Sequence, residues 1–269
     1  MSQNGPPSSS APLVKVHVHG AAGTIILNRP EKRNALSRAL LTDLAQAFSD
    51  LHLERRVRAV ILTATGSTFC AGMDLAEMAA TSRAENSHAQ WHQDAVQYHD
   101  LIETMLQFPK PIIAAVAGPA LAGGAGLMLA CDIVVAGGSA TFGLPEPKRG
   151  LVAGIVAPLV AFRVGAGRAG YLLLTAQTIG AEEAFRYGLV HELVADDKVW
   201  ARAVEIANHC ATGAPEALQL TKRVLNETIG EHLGTQLSAG AAASATARTT
   251  EAAAEGLAAF LEKRPPVWP

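Results

Sequence analysis

The first half of the chain contains short apolar runs with the period of β-strands. Val14, Val16 and Val18 alternate with polar residues, GAAG follows as a turn and TIIL returns, which predicts a hairpin. The runs VRAVILTAT and KPIIAAVAG are apolar throughout, as in strands that are buried on both faces. CDIVVA predicts one further strand.

Helical periodicity lies between these strands and dominates after them. Ser37 is a candidate N-cap for SRALLTDLAQAFSDLH. The apolar face of that helix comprises Leu40, Leu44, Ala47, Phe48 and Leu51. The stretch TSRAENSHAQWHQDAVQYHDLIETML predicts a loop that leads into a helix. From about Val152 the chain is mostly helical and ends in EAAAEGLAAFLEK, so the pattern predicts one α/β domain with a helical C-terminal extension.

Composition narrows the class of protein. With 269 residues and 49% hydrophobic content the chain can bury a large core. A net charge of -2, with no cluster of basic residues, argues against a nucleic-acid partner. No apolar run reaches the roughly 20 residues that a membrane span needs. Three widely spaced cysteines, Cys70, Cys131 and Cys210, suggest reduced core residues and a cytoplasmic protein, and residues 1–12, MSQNGPPSSSAP, suggest a disordered tail rather than a signal peptide.

A cluster of glycines stands where a helix is expected to begin, in ALAGGAGLMLACDIVVA. At Gly123 and Gly124 a helix N-terminus would present unpaired N–H groups, and glycine allows an oxygen to approach them closely. The ligand would be a phosphate or an oxyanion formed in acyl chemistry. The spacing G-x-G-x-x-G of dinucleotide sites is absent. Tight packing of the helix on a sheet is the structural alternative.

A second candidate donor lies upstream, in GSTFCAGMDLAEM. Ala71 and Gly72 precede Met73 at the start of a predicted short helix, so the Met73 N–H would point outward as that of Gly123 does. Two backbone donors from two strand-to-helix junctions would form an oxyanion hole. In the alternative interpretation, this is an ordinary turn in which Asp74 caps the helix.

Taken together, STFCAGMDL, KPIIAAVAGPALAGGAGLMLACDIVVA and ATFGLPEPKRGL resemble the crotonase superfamily, which contains enoyl-CoA hydratases and isomerases. The resemblance extends from IILNRPEKRNAL to AAFLEKR and covers nearly the whole chain. It implies a spiral of ββα units, with the acyl-CoA site in residues 13–200. It further implies a helical oligomerisation region in residues 201–269 and assembly as a homotrimer or a dimer of trimers.

The resemblance also assigns roles. The substrate would be an acyl-CoA thioester whose carbonyl oxygen lies between the N–H groups of Met73 and Gly123, and no separate cofactor is expected because coenzyme A is part of the substrate. Glu146 would carry the proton: Pro145 and Pro147 are expected to hold it in a non-helical loop, and apolar neighbours would raise its pKa. Further substrate contacts are expected from Ala71, Asp74, Gly124 and Gly126, and phosphate contacts from Lys32, Arg33 and Lys263, the last donated by a neighbouring subunit.

One residue departs from the family pattern. Gly126 stands where classical hydratases of the family have a second glutamate. We favour a hydratase that works with Glu146 alone, as GLVAGIVAPLVAFRVG resembles methylglutaconyl-CoA hydratases. The alternatives are a Δ3,Δ2-enoyl-CoA isomerase that uses the same glutamate and a non-catalytic acyl-CoA-binding protein. A dehalogenase would need an aspartate where this chain has Gly154.

Three histidines have a spacing that could suggest a metal site. His88, His92 and His99 would share one helical face, but no acid or cysteine completes a ligand set in the sequence pattern, so no metal is expected.

Overall fold

A computed structural model describes residues 11–268. The strands are β1 (Val14–His19), β2 (Ala22–Leu27), β3 (Ala59–Ala64), β4 (Ile112–Val116), β5 (Ala120–Leu121), β6 (Ile133–Gly137), β7 (Thr141–Gly143), β8 (Thr178–Gly180) and β9 (Glu192–Val194). The helices are α1 (Arg38–Leu53), α2 (Leu75–Thr81), α3 (Ser87–Gln107), α4 (Gly123–Ala130), α5 (Val156–Thr175), α6 (Ala181–Tyr187), α7 (Val199–Ala211), α8 (Pro215–Arg223), α9 (Leu233–Ala247) and α10 (Glu251–Glu262).

Six strands form the main sheet, in the order β1-β2-β3-β4-β6-β9. The β1–β2 hairpin is antiparallel and the other pairings are parallel. Residues 112–116 of β4 are all buried, in agreement with the prediction from its uninterrupted apolar run. Ser37 caps α1 as predicted: its side chain accepts a hydrogen bond from the Leu40 N–H.

A second sheet, β5-β7-β8, was not predicted, because its strands are only two or three residues long. It nevertheless positions the site. A bridge between Cys70 and Ala120 places the segment after β3 alongside β5. The N-terminus of α4 follows β5 directly, so the two predicted strand-to-helix junctions become neighbours.

The predicted boundary after residue 200 falls inside α7. Buried residues of this helix, Val199, Ala203 and Ile206, pack with β3 and β4 in one hydrophobic cluster. The apolar face of α7 therefore belongs to the core of the main sheet. Of the predicted tail, residues 1–10 lie outside the described residues, while the Pro12 carbonyl accepts a hydrogen bond from the Asn28 side chain at 2.8 Å.

The last two helices cover the segment that follows β7. Close approach of backbones makes this possible: a Cβ on Gly154 would overlap the Gly240 carbonyl of α9, and a Cβ on Gly256 of α10 would overlap the Arg149 carbonyl. Part of the region predicted for oligomerisation therefore packs against residues 149–154 of the same chain.

The structure bears on the expectations about cysteines and about membrane-spanning segments. All three cysteines are free thiols; Cys70 and Cys131 are buried, whereas Cys210 is only half-buried. Across residues 11–268, no helix combines the length and the apolar character that crossing a bilayer requires.

Candidate active site

The first junction leaves one backbone donor facing away from its neighbouring strand. Leu36 forms a parallel bridge with Met73: the Leu36 N–H donates to the Gly72 carbonyl at 2.8 Å, and the Asp74 N–H donates to the Leu36 carbonyl at 3.0 Å. In this pattern the residue between the two bonded neighbours points its own N–H to the opposite side. The Met73 N–H therefore faces away from Leu36.

The second junction is a strained helix start. Gly123 is the first residue of α4, and Ala122 before it has φ 51° and ψ -127°, a conformation that residues with a Cβ rarely adopt. The Ala122 N–H is held by the Gly143 carbonyl at 2.9 Å. The first hydrogen bond within the helix runs from the Gly126 N–H to the Ala122 carbonyl, so the Gly123 N–H is one of the unpaired donors of the first turn.

Gly72 brings the two junctions together. It has φ +91°, and a Cβ on it would lie 2.6 Å from the Ala122 Cβ and 3.1 Å from the Gly123 nitrogen. Only glycine allows this approach. Met73 and Gly123 both border one cleft.

We call this space the central cleft, which encloses about 650 Å³, part of it open to solvent. It is lined by Ala71, Met73, Leu75, Met78, Ala95, Tyr98, Ala122, Gly123, Glu146, Arg149, Leu151, Val152, Ala153, Gly154, Ile155, Val156, Ser244 and Arg248. An adjoining outer cleft shares Ala71, Met73, Leu75 and Arg149 with it and is completed by Glu31, Lys32, Arg33, Ala35, Asp74, Ala76, Leu121 and Phe260. Predicted residues Met73, Gly123, Glu146 and Ala71 therefore meet in the central cleft.

Glu146 is a buried carboxyl group in this cleft. Its residue is 9% exposed, and burial raises its pKa to about 7 although the nearby Arg149 charge opposes the shift. Its Oε2 has no hydrogen-bond partner among the described residues. The prediction of a non-helical loop was wrong: Glu146 begins a 3-10 helix, Glu146–Arg149. Pro147 is compatible with it because the first turn of a helix leaves its N–H groups unpaired anyway.

Asp74 has the opposite environment. Burial favours its neutral form, but hydrogen bonds from Arg29 and from the N–H groups of Glu77 and Ala76 lower its pKa below the ordinary value. Its Oδ2 lies 2.6 Å from the Arg29 Nη1, and its Oδ1 caps α2. Asp74 borders the outer cleft, but both of its oxygens are already paired. It caps α2, as in the alternative interpretation of this segment as an ordinary turn.

Tyr98 is a site residue that the sequence interpretation missed. Its hydroxyl donates to the Gly123 carbonyl at 2.6 Å and so holds the first turn of α4. A Cβ on Gly126 would overlap that hydroxyl, and a Cβ on Gly124 would overlap the Cys70 carbonyl. Both glycines allow close packing, and neither lines the central or the outer cleft of the described chain. Their role in substrate binding stays a prediction. The available signal was the position of Tyr98 on the apolar face of α3.

Ser244 and Arg248 were also missed, because they lie some hundred residues downstream of Glu146 in sequence that is predicted only as helix. They reach the central cleft because α9 packs against the loop at Gly154. Among the predicted phosphate-binding residues, Lys32 and Arg33 are exposed at the outer cleft. Lys263 follows α10, near Phe260, but is not one of the described residues that line the outer cleft.

His88, His92 and His99 are not among the described residues that line either cleft. His88 stacks on Trp91 with ring centroids 5.7 Å apart. His99 lies between the Asp100 carboxylate and the Ser238 hydroxyl, at 3.0 and 3.3 Å. Contrary to expectation, two acids stand beside it: ligand atoms of His99, Asp100 and Glu103 lie within 4.8 Å of one another on a partly exposed helix face. These acids are exposed or half-exposed, as surface carboxylates commonly are.

Known proteins resemble this chain over most of its length. Residues 18–269 match the sequence profile of the family described as Enoyl-CoA hydratase/isomerase. The short-chain-enoyl-CoA hydratase of Clostridium acetobutylicum is 34% identical over 247 residues, which are 91% of this chain and 93% of that one. The 2,3-dehydroadipyl-CoA hydratase of Escherichia coli (strain K12) is 35% identical over 243 residues, 90% of this chain and 92% of that one. The crystal structure of an enoyl-CoA hydratase from Mycobacterium avium superimposes with a TM-score of 0.84 at 31% identity, covering 96% of this chain and 99% of that one.

The chain therefore belongs to the enoyl-CoA hydratase/isomerase family and has the crotonase fold. This confirms the predicted superfamily, the α/β fold class and the expectation of an enzyme with hydratase-type function. A family that acts on enoyl-CoA also supports an acyl-CoA thioester as the substrate.

Proposed function

We propose that the enzyme adds water to a 2-enoyl-CoA with Glu146 as its single proton carrier. The thioester carbonyl oxygen accepts hydrogen bonds from the Met73 and Gly123 N–H groups. The observation that supports the proposal most strongly is the unpartnered, buried Glu146 carboxyl in the same cleft as these two donors. A polar atom buried without a partner is costly unless a ligand or water completes it.

The reaction would proceed through an enolate. The ionised Glu146 carboxylate takes a proton from water while the water oxygen bonds to the β-carbon, and the π electrons of the double bond move onto the thioester oxygen. Two N–H donors stabilise that oxygen, and one such donor is typically worth about 10²–10³ in rate. The protonated Glu146 then returns its proton to the α-carbon as the carbonyl re-forms. A pKa near 7 suits both directions of transfer.

Tyr98 supports a mechanism with one carboxyl group. Its hydroxyl lies where a Cβ at residue 126 would project, so a second glutamate there would have to displace it. By holding the Gly123 carbonyl, Tyr98 is a positioning residue for the oxyanion hole.

The outer cleft is our candidate for the coenzyme A moiety. Lys32, Arg33 and Arg149 supply cations for its phosphates, and Asp74 shapes the wall through its ion pair with Arg29. Of these, Lys32 and Arg33 are exposed, and exposed cations bind weakly and with strong salt dependence. Lys263 remains a candidate for a contact made across subunits.

The hydratase and isomerase alternatives differ in the substrate they consume. Purified protein would be incubated with a short 2-enoyl-CoA and, separately, with the matching 3-enoyl-CoA, and the absorbance of the conjugated thioester followed. We expect loss of absorbance with the 2-enoyl-CoA, as hydration removes the conjugation. A gain with the 3-enoyl-CoA and no loss with the 2-enoyl-CoA would favour isomerase. Tight acyl-CoA binding without turnover of either would leave the non-catalytic alternative.

A homotrimer or dimer of trimers also remains our proposal. Large apolar side chains on α8, on the turn after it and at the end of α5 are exposed, among them Leu220 at 58%, Ile229 at 69% and Leu174 at 85%. Apolar patches of this kind are typical of subunit interfaces. Light scattering coupled to size-exclusion chromatography would give the mass in solution, and a monomer would contradict the proposal.

A further inference from the structure

Arg248 places a positive charge in the wall of the central cleft. It follows the last turn of α9, is 8% exposed and lines the cleft together with Ser244. The other residues on this wall, such as Val152 and Ala153, are apolar. A purely hydrocarbon acyl chain would gain nothing from a guanidinium in the cleft and would displace water from its N–H donors, which is costly.

The neighbours of Arg248 leave most of its donors unused. Within the described chain, its one hydrogen bond runs from Nη1 to the Trp91 carbonyl, at 3.4 Å. The carboxylate of Asp94 lies 3.9 Å away, but its two oxygens already accept from Arg38 at 2.6 and 2.8 Å. Gln90 adds a further hydrogen bond to the same carboxylate at 2.9 Å. A guanidinium offers five N–H donors, so Asp94 balances the charge without satisfying them.

Arg163, a half-buried arginine, shows what a fully hydrogen-bonded guanidinium looks like in this chain. Arg163 donates to the Leu129 carbonyl from two nitrogens, at 3.1 and 3.0 Å, and to the Cys131 carbonyl at 2.7 Å. It does not line the central cleft in the described chain. The contrast indicates that the N–H donors of Arg248 are available to a ligand that enters the cleft.

The charged groups that line the central cleft divide by role. Glu146 carries the proton in the proposed reaction, and Arg149 also borders the outer cleft that we assign to coenzyme A. Arg248 borders only the central cleft within the described residues, so the acyl group is the part of the substrate left to meet it.

We propose that the acyl group carries a carboxylate at the end remote from the thioester, and that Arg248 binds this carboxylate. The inference rests on the proposed function, because it assumes that the thioester carbonyl lies at Met73 and Gly123. A planar guanidinium matches a carboxylate with paired, charge-assisted hydrogen bonds, and it discriminates strongly against a methyl group that would leave its donors unpaired.

The test compares acyl-CoA thioesters of five to seven carbons, prepared in pairs that end in a carboxylate or in a methyl group. Binding of the saturated pairs to the wild-type protein would be measured by calorimetry, and kcat/KM would be measured for the 2-enoyl pairs. We expect at least one length at which the carboxylated member binds roughly tenfold or more tightly, as a charged hydrogen bond allows. Equal binding, or a preference for the methyl member at every length, overturns the inference without any mutant.

Substitutions then identify the residue responsible. Arg248→Met should lower affinity for the preferred carboxylated thioester by about tenfold to a hundredfold and leave the methyl member nearly unchanged, while Arg248→Lys should retain part of the preference. Arg163→Met is the control: it removes a half-buried, hydrogen-bonded guanidinium outside the cleft, and it should lower stability without altering the ratio between the paired ligands. Equal loss of both ligands in Arg248→Met would make Arg248 a packing residue and contradict the inference.

The two proposals fail in different ways. Carboxylate preference in binding, with no hydration of any 2-enoyl-CoA, would overturn the proposed reaction and leave the role of Arg248 standing. Efficient hydration with no carboxylate preference would do the reverse.

Discussion

Two parts of the lining of the central cleft are built in different ways. The backbone wall consists of the residues around Gly72 and Gly123, where strand pairing and a helix start set the direction of main-chain N–H groups. The side-chain wall consists of Glu146, Tyr98 and Arg248, whose side chains come from a 3-10 helix, α3 and the end of α9. The backbone wall depends on the absence of side chains, and the side-chain wall depends on which side chains long-range packing brings to the cleft.

The comparison of the two acids near these clefts shows how position sets chemistry. The Asp74 carboxylate caps α2 and pairs with Arg29, and these contacts lower its pKa. Glu146 has no such partner within the described chain, and burial raises its pKa to about 7. Only the second can exchange a proton near neutral pH.

Removing the carboxyl group of the side-chain wall should have the largest effect. Glu146→Gln keeps the shape of the side chain but cannot accept a proton, so we expect kcat/KM for a 2-enoyl-CoA to fall by about 10²–10⁴. Thermal unfolding should show that the fold is kept. Glu216→Gln, an exposed change at the start of α8, is the control. A variant within tenfold of the wild-type rate would remove Glu146 from the mechanism.

Disturbing the backbone wall should come next. Gly72→Ala adds a Cβ at φ +91°, 2.6 Å from the Ala122 Cβ, and so pushes the two donors apart. If one donor is lost, the rate should fall about 10²–10³. Gly20→Ala is matched, since Gly20 has φ +56° with nothing within 4 Å of the added Cβ. It should share the backbone strain and keep the rate; a similar rate loss in both variants would argue against the oxyanion hole.

The raised pKa of Glu146 predicts a pH dependence of stability with a definite sign. Between its ordinary pKa of 4.5 and about 7, the folded protein holds a proton that the unfolded chain has lost. The free energy of unfolding should therefore fall as pH rises through this window and then level off, by about 3 kcal/mol in total. Denaturant titrations of wild type and Glu146→Gln from pH 4 to pH 8 would isolate this group, because the variant lacks the titration. A difference between them that stays constant across the window would contradict the raised pKa.

The reaction rate, in contrast, should rise with pH toward about 7, since the proposed base is the ionised form of Glu146.

The backbone wall was accessible from sequence, and most of the side-chain wall was not. Gly72 and Gly123 mark positions where two backbone segments approach each other closely, and that signal is local. The apolar surroundings of Glu146 were predicted from its neighbours in sequence, although its helical turn was not. Tyr98 and Arg248 enter the site only because α3 and α9 pack where they do, and no local pattern encodes that placement. The short strands β5, β7 and β8 were missed for a similar reason: two or three residues carry too little periodicity.

The smallest predicted effect tests whether Tyr98 and Gly126 share one space. Gly126→Ala places a Cβ against the Tyr98 hydroxyl and should destabilise the protein by about 1–3 kcal/mol through overpacking. In Tyr98→Phe the hydroxyl is absent, so the same Gly126→Ala change should cost much less, and a double-mutant cycle measured by denaturant unfolding would give the coupling. Gly167→Ala on the exposed side of α5 has nothing within 4 Å of its added Cβ and should be neutral or stabilising by about 0.4–1 kcal/mol. Additive single-mutant costs would mean that the hydroxyl does not fill the space beside Gly126. The Tyr98 hydroxyl would then not keep a second carboxylate out of that residue, and the structure would give no steric reason for Glu146 to act alone.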